Sequence, residues 1–181
     1  RFNFVKRLVD RVPTDSLQEI AEKIAPLGWH VVIYFEAEDL PDLYEFFSSI
    51  PTDVVVDHMG RPDVSKDPDG PEFDLFLRFM RENPNVWTKV SCPERLSITG
   101  PRALDGEQHA YTDVVPFARR VVEEFPDRVL WGTDWPHPNL KDHMPDDGLL
   151  VDYIPQIATT AELQQKLLVD NPRRLYWPEG D

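Results

Sequence analysis

Short apolar runs that alternate with amphipathic segments constrain this fold more than any other feature of the sequence. Five runs rich in Val, Ile and aromatic residues are too short for buried helices and predict strands at residues 1–5, 30–36, 53–58, 86–91 and 129–133. Segments with helical spacing of apolar residues separate them, among them 16–28, 72–81, 114–125 and 159–170. This alternation predicts a parallel α/β sheet.

Local signals place the ends of several predicted helices. A capping-box pattern at residues 16–19 predicts the start of the first helix, and Gly28 predicts its end. A second capping box predicts that the last long helix begins at Thr159. No glycine-rich phosphate loop follows any of the five runs, which argues against a nucleotide-binding doubly wound fold.

Charge and cysteine content limit the partners and the compartment. A net charge of −14 over 181 residues would repel nucleic acid and anionic membranes. No apolar run reaches membrane-spanning length and the first residues do not resemble a signal peptide, so we expect one cytoplasmic domain. The single cysteine, Cys92, excludes an internal disulfide and favours a packed thiol over a nucleophile.

Asp134 is the first candidate for chemistry. It follows a short apolar run, and Pro136 and Pro138 prevent that run from continuing as a central strand. Functional groups collect at the carboxyl ends of parallel strands, where the loops begin. The alternative reading is an Asp that caps a turn beside a proline.

The other predicted strands also end in polar or charged residues. Taken singly, a histidine such as His58 is more often a satisfied core residue, and an arginine such as Arg61 or Arg95 usually forms a surface ion pair. Their joint placement at the same ends of successive strands favours a site. The residues after the second to fifth strands are Tyr34, Glu36, Asp57, His58, Arg61, Cys92, Glu94, Arg95, Asp134 and His137.

Three segments together resemble the amidohydrolase superfamily. They are Val56-Asp57-His58-Met59-Gly60-Arg61-Pro62, Val90-Ser91-Cys92-Pro93-Glu94-Arg95-Leu96-Ser97 and Leu130-Trp131-Gly132-Thr133-Asp134-Trp135-Pro136-His137-Pro138. Within that superfamily the chain is most similar to the 2-pyrone-4,6-dicarboxylate lactonases, a family of bacterial aromatic and lignin breakdown. The N-terminal residues Arg1-Phe2-Asn3-Phe4 and Arg7 are similar too, so the resemblance spans the whole chain.

The resemblance implies a (β/α)₈ TIM barrel of which this chain supplies only the last five strand-helix units. The first strand, with its His-x-His motif, and the second and third strands have no counterpart here. Five strands alone would leave unpaired edges and an uncovered interior. We therefore expect a fragment, unless another chain completes the sheet.

The resemblance also implies roles for individual residues in lactone hydrolysis. Asp134 matches the general base that activates water, and His58 matches a histidine that helps to polarise the ester carbonyl. The remaining matches are expected to hold the carboxylates of the substrate, a task that suits the planar fork of arginine. These substrate-binding candidates are Arg1, Arg7, Tyr34, Arg61 and Arg95.

The resemblance implies no metal and no other cofactor. Binuclear relatives place a histidine on the fifth strand, whereas this chain has Tyr34 there and His30 at the opposite end of the run. The alternative is one Zn²⁺ or Mn²⁺ ion held by His58, Asp134 and the absent His-x-His pair. His109, His137 and His143 are predicted to be loop residues, although His137 is close enough to Asp134 to orient it.

Two other functions stay open beside the lactonase. A metal-dependent hydrolase, hydratase or decarboxylase of the same superfamily would share Asp134 and His58 without needing the arginines. A chain that lacks three strands could also be a catalytically inactive remnant. The expected partner is a small anionic substrate, and a homo-oligomer is compatible with the sequence.

Overall fold

A computed structural model describes residues 1–6, 8, 12–100, 110–138, 140 and 144–178. Arg7, His109 and His143, singled out above, lie outside the described residues. The chain divides into two compact units: the first unit is Arg1–Pro62 with Asp69–Thr88, and the second unit is Asp63–Pro68 with Lys89–Asp181. Within the described parts, no helix combines the length and the apolar character needed to cross a membrane.

Four strands form a parallel sheet in the first unit. They are β1 (Phe2–Asn3), β2 (Val31–Tyr34), β3 (Val54–Val56) and β4 (Val86–Lys89). Each strand pairs with the next one along the chain, for example Phe2 with Ile33 and Val54 with Val86. The three valines of β3 are fully buried, as expected for a β-branched run covered on both faces.

Amphipathic helices connect the strands of the first unit: α1 (Thr14–Ile24), α2 (Leu40–Ser49) and α3 (Pro71–Glu82). A 3₁₀ turn over Ala25–Leu27 continues the first of these helices, and Gly28 ends it in a left-handed conformation, φ +67°, as predicted. The capping-box prediction at residues 16–19 is wrong, because α1 begins two residues earlier behind Pro13 without a side-chain cap. Asp15 lies in the first turn, where the helix dipole favours a negative charge.

The second unit begins where β4 ends. The Val90 amide donates to the carbonyl of Leu130 at 2.8 Å, which joins the chain after β4 to β5 (Val129–Leu130). Asn171 anchors the start of β5, because its side-chain amide donates to the carbonyls of Pro126 and Val129, both at 2.8 Å.

The helices of the second unit are α4 (Pro93–Leu96), α5 (Val115–Glu124), α6 (Asp147–Asp152), α7 (Ile154–Ile157), α8 (Ala161–Gln165) and α9 (Asn171–Tyr176). The cap of α8 is Thr160, whose hydroxyl accepts from the Leu163 amide, so the predicted start at Thr159 is one residue early. A π-turn over Lys166–Asp170 links α8 to α9.

The predicted α/β class is confirmed, since strands and helices alternate through both units. The strands are shorter than predicted. The sequence predicts strands through residues 57–58 and 131–133, but β3 ends at Val56 and β5 at Leu130. In each case the backbone leaves the sheet before the polar residue of interest, so His58 and Asp134 are carried by the turns that follow.

Candidate active site

A left-handed turn places His58 and Arg61 directly after β3. His58, Met59 and Arg61 have φ values of 53–56°, Gly60 has +67°, and the Arg61 amide donates to the His58 carbonyl at 2.9 Å. Non-glycine residues adopt this region at a cost of roughly 1–3 kcal/mol each, and such strain concentrates at functional sites. Glycine is required at position 60, because a Cβ there would lie 3.0 Å from the Phe35 ring.

Tyr34, at the end of β2, is the centre of the cluster in the first unit. The Arg1 guanidinium lies 4.8 Å from the centre of its ring, and Arg61 Nη1 donates to its hydroxyl at 3.4 Å. The His58 ring meets the Tyr34 ring edge-on, with 5.5 Å between centroids. Four of the predicted site residues therefore lie together: Arg1, Tyr34, His58 and Arg61.

Both arginines of this cluster are already ion-paired. Arg1 Nη2 lies 2.7 Å from Asp57 Oδ2, and Arg61 Nε lies 2.7 Å from Glu36 Oε2. The two carboxylates balance the two guanidinium charges within the cluster. Glu36 and Asp57 follow the same strands as the predicted site residues, but the resemblance implies no role for either.

Arg95 and Asp134 meet in the second unit. Arg95 lies on α4, and its Nη2 contacts Asp134 Oδ2 while its Nε donates to Cys92 Sγ at 2.6 Å. Its Nη1 reaches the carbonyl of Pro138 at 3.4 Å. The Arg95 side chain is 9% exposed and that of Asp134 is 23% exposed, so a largely buried cation holds a carboxylate that solvent can still reach.

Asp134 stands on a tight turn rather than on a strand. Its φ is +64°, and the amide of His137 donates to its carbonyl at 2.8 Å, which closes residues 134–137 into one turn. The Trp135 amide donates to the Thr133 hydroxyl at 3.2 Å. These two hydrogen bonds therefore fix the backbone around Asp134.

Cys92 is a packed thiol, as its sequence context favoured. It is fully buried, and burial raises the pKa of its thiol; the nearby Glu94 carboxylate adds to this effect and Arg95 opposes it. A thiol with a raised pKa is a weak nucleophile at neutral pH. In this site Cys92 serves as an acceptor for Arg95.

The second unit also contains a buried acid, Glu94, and a buried histidine, His137, close in sequence to Arg95 and Asp134. Glu94 and His137 have side chains that are 0% and 1% exposed, with 3.5 Å between Glu94 Oε1 and His137 Nδ1. Burial raises the pKa of the Glu94 carboxyl above its ordinary value, and it raises the pKa of the neighbouring Tyr111 hydroxyl to about 12. The expectation that His137 is simply a loop residue missed this burial, because proximity to a proline-rich loop suggests exposure.

The chain was compared with known proteins. An amidohydrolase family profile matches residues 1–177. The chain is 80% identical over 179 residues to a 2-pyrone-4,6-dicarboxylate hydrolase of Comamonas testosteroni, a match that covers 99% of this chain and 59% of the relative. It is 35% identical to a 4-sulfomuconolactone hydrolase of Hydrogenophaga intermedia, covering 90% of this chain and 52% of the relative.

A solved structure has the same fold. It belongs to a proposed 2-pyrone-4,6-dicarboxylic acid hydrolase of Acinetobacter baumannii with citric acid bound, has a TM-score of 0.75 and 25% identity, and is matched over 97% of this chain and 62% of its own. The chain thus spans about three fifths of the length of these proteins. That share agrees with the expectation of a partial barrel.

Proposed function

Because the chain belongs to the amidohydrolase family, we propose that it supplies part of the active centre of a lactonase that opens a 2-pyrone-4,6-dicarboxylate-type substrate. The observation that carries the proposal is the 80% identity to the Comamonas testosteroni hydrolase over nearly the whole chain. The similarity to a 4-sulfomuconolactone hydrolase supports the same reaction type, hydrolysis of a lactone ester. Such a reaction belongs to the breakdown of aromatic compounds.

Asp134 is the proposed general base. Its carboxylate takes a proton from water, the resulting hydroxide oxygen forms a bond to the lactone carbonyl carbon, and the ring C–O bond then breaks. The proton returns from Asp134 to the departing enol oxygen, so that water is consumed and a ring-opened acid is released. The contact with Arg95 orients the carboxylate, and its partial exposure gives the water access.

The cluster around Tyr34 is proposed to bind the substrate. His58 would donate to the ester carbonyl as charge develops on its oxygen. Glu36 holds the Nε side of Arg61 and the Tyr34 hydroxyl accepts from Nη1, and these two contacts orient the guanidinium that is proposed to meet a substrate carboxylate. Arg1, Arg7 and Arg95 keep their proposed roles as further carboxylate ligands. The Acinetobacter baumannii structure has citric acid bound, a molecule rich in carboxylates, which is compatible with this proposal.

We propose that the reaction needs no metal. In the second unit this proposal is supported by Asp134, whose carboxylate is already held by the Arg95 guanidinium. The alternative of one Zn²⁺ or Mn²⁺ ion bound through His58 and Asp134 is an outcome of the test below. A cytoplasmic location, a small anionic substrate as partner and a homo-oligomeric state are likewise proposals.

A chimeric hydrolase would test the proposed function. In it, the matching 179 residues of this chain replace those of the Comamonas testosteroni relative, which serves as the positive control, and the 181-residue chain is assayed alone in parallel. We expect the chimera to hydrolyse 2-pyrone-4,6-dicarboxylate at a rate close to that of the relative, with or without a chelator, measured by loss of pyrone absorbance.

Three outcomes would change the proposal. Loss of activity with chelator and its recovery with Zn²⁺ or Mn²⁺ would establish the metal-dependent alternative. Equal turnover of a pyrone with one carboxylate would remove the carboxylate-binding roles of the arginines. An inactive chimera beside an active relative would favour a catalytically inactive remnant.

A further inference from the structure

The turn that carries Asp134 is joined to α4 by two neighbouring side chains. Arg95 contacts the Asp134 carboxylate at one end of the turn. Glu94, the preceding residue of α4, lies 3.5 Å from the His137 ring at the other end. The Arg95–Asp134 contact is partly exposed to solvent, whereas the Glu94–His137 contact is buried.

The contact between Glu94 and His137 is a close approach of two buried side chains and not a hydrogen bond. Within the described residues, neither carboxylate oxygen of Glu94 and neither ring nitrogen of His137 makes a hydrogen bond. Asp147 Oδ1 lies 3.3 Å from His137 Nε2, which places a second carboxylate on the other side of the ring. Buried polar atoms without hydrogen bonds cost stability.

The Glu94–His137 contact lies at the turn that carries Asp134, the proposed base. His137 closes the turn through its amide, which donates to the Asp134 carbonyl at 2.8 Å. Asp134 and His137 both have left-handed backbones, with φ of 64° and 57°, and such conformations persist only when the surroundings hold them. Glu94 and Asp147, on opposite sides of the His137 ring, are the charged groups that lie against that end of the turn.

We infer that Glu94 and His137 are a buried positioning pair that fixes the Asp134 turn, and thereby aims the Asp134 carboxylate at the attacking water. The inference deepens the proposed function and rests on the role given there to Asp134. Neither residue touches the substrate in this scheme. Both act through the backbone of residues 134–137 and through the α4 segment shared with Arg95.

The test compares two changes of a carboxylate to an amide in the chimeric hydrolase. Glu94→Gln keeps the shape of the side chain but removes its charge. Asp113→Asn is the matched control in the same unit, because Asp113 accepts four hydrogen bonds from residues 97–99 and takes no part in the Asp134 turn. For each variant kcat, KM and the melting temperature are measured.

For Glu94→Gln we expect kcat to fall at least tenfold, KM to stay within twofold, and the melting temperature not to fall. Asp113→Asn should lower the melting temperature and leave kcat within twofold. His137→Asn should reproduce the loss in kcat, and the double variant should lose no more than either single one, because the two residues act as one unit. A kcat within twofold of the parent for Glu94→Gln would overturn the inference.

A measurement that needs no substrate separates this inference from the proposed function. Hydrogen exchange of the His137 amide reports whether the turn is closed. Glu94→Gln should speed that exchange at least tenfold and Asp113→Asn should leave it unchanged, even in a chimera that proves inactive. Unchanged exchange in Glu94→Gln would overturn the positioning role, whereas an inactive parent chimera would overturn only the proposed function.

Discussion

Two acidic side chains of the second unit have opposite surroundings. Asp113 receives four hydrogen bonds, two from the hydroxyls of Ser97 and Thr99 and two from backbone amides of Ile98 and Thr99, at 2.6–3.2 Å. Glu94 is more deeply buried and receives none within the described residues. The first arrangement is typical of a side chain that stabilises a loop. The second is typical of a side chain whose burial lowers the stability of the folded protein.

The pKa directions agree with this difference. Partial burial would raise the pKa of Asp113, but the hydrogen bonds from residues 97–99 outweigh it and lower that pKa. Burial dominates at Glu94 and raises its pKa despite the opposing effects of its own backbone amide, Arg95 and His137. We therefore assign a stabilising role to Asp113 and a functional role to Glu94, and the following experiments test this assignment.

Asp134→Asn should give the largest effect. The amide cannot accept the proton of the attacking water, so we expect kcat of the chimeric hydrolase to fall by roughly 10²–10⁴-fold. Substrate affinity, measured by equilibrium dialysis, should change much less, because the proposed ligands of the substrate carboxylates are intact. Retained turnover would remove Asp134 as the base and would also remove the reason for positioning its turn.

Asp113→Asn should have the largest effect on stability. An amide cannot replace a carboxylate that accepts four hydrogen bonds, so the free energy of unfolding should fall by about 1–3 kcal/mol. Urea denaturation of the chimera measures this change, with Asp127→Asn as the control because the Asp127 carboxylate is exposed. A loss no larger than that of the control would show that the hydrogen bonds to residues 97–99 contribute nothing net.

The pH dependence of stability should have opposite signs at the two carboxyls. A raised pKa means that folded Glu94 binds a proton more readily, so its cost is present at neutral pH and disappears as the pH falls toward 4.5, the ordinary value. A lowered pKa means that Asp113 stabilises the fold above its ordinary value of 3.8 and loses this contribution as the pH falls below it.

Unfolding curves between pH 3 and pH 8 would measure both contributions. Glu94→Gln should be at least as stable as the parent at pH 8, and the gap should close toward pH 4.5. Asp113→Asn should be less stable at pH 8, and its gap should close only below pH 3.8. Parallel curves for the two variants would contradict the assignment of different roles.

The sequence was sufficient for the order of strands and helices, and for the residues that follow each strand. Hydrophobic periodicity is local, so the runs at 53–58 and 129–133 indicate strands wherever they lie. The left-handed turns at His58, Cys92 and Asp134 could not be predicted, because only glycine marks such a conformation in a sequence and these residues are not glycine.

The ion-pair partners of the arginines could not be predicted from the sequence either. Glu36 and Asp57 lie one or two residues from predicted site residues, but their pairing with Arg61 and Arg1 depends on how neighbouring strands align. The burial of His137 depends on α4, which is distant in sequence. Local patterns thus indicate which residues reach the strand ends, whereas the partner of each residue is a property of the folded unit.

Tyr153 gives the smallest and most diagnostic effect. Its hydroxyl is buried and makes no hydrogen bond within the described residues, and burial together with the Asp113 charge raises its pKa. Tyr153→Phe removes only that hydroxyl, so the free energy of unfolding should stay unchanged or rise by about 1 kcal/mol, measured by urea denaturation. Activity of the chimera should not change. A loss of more than about 1 kcal/mol would mean that the hydroxyl has a partner such as bound water, and the same explanation would then have to be considered for Glu94.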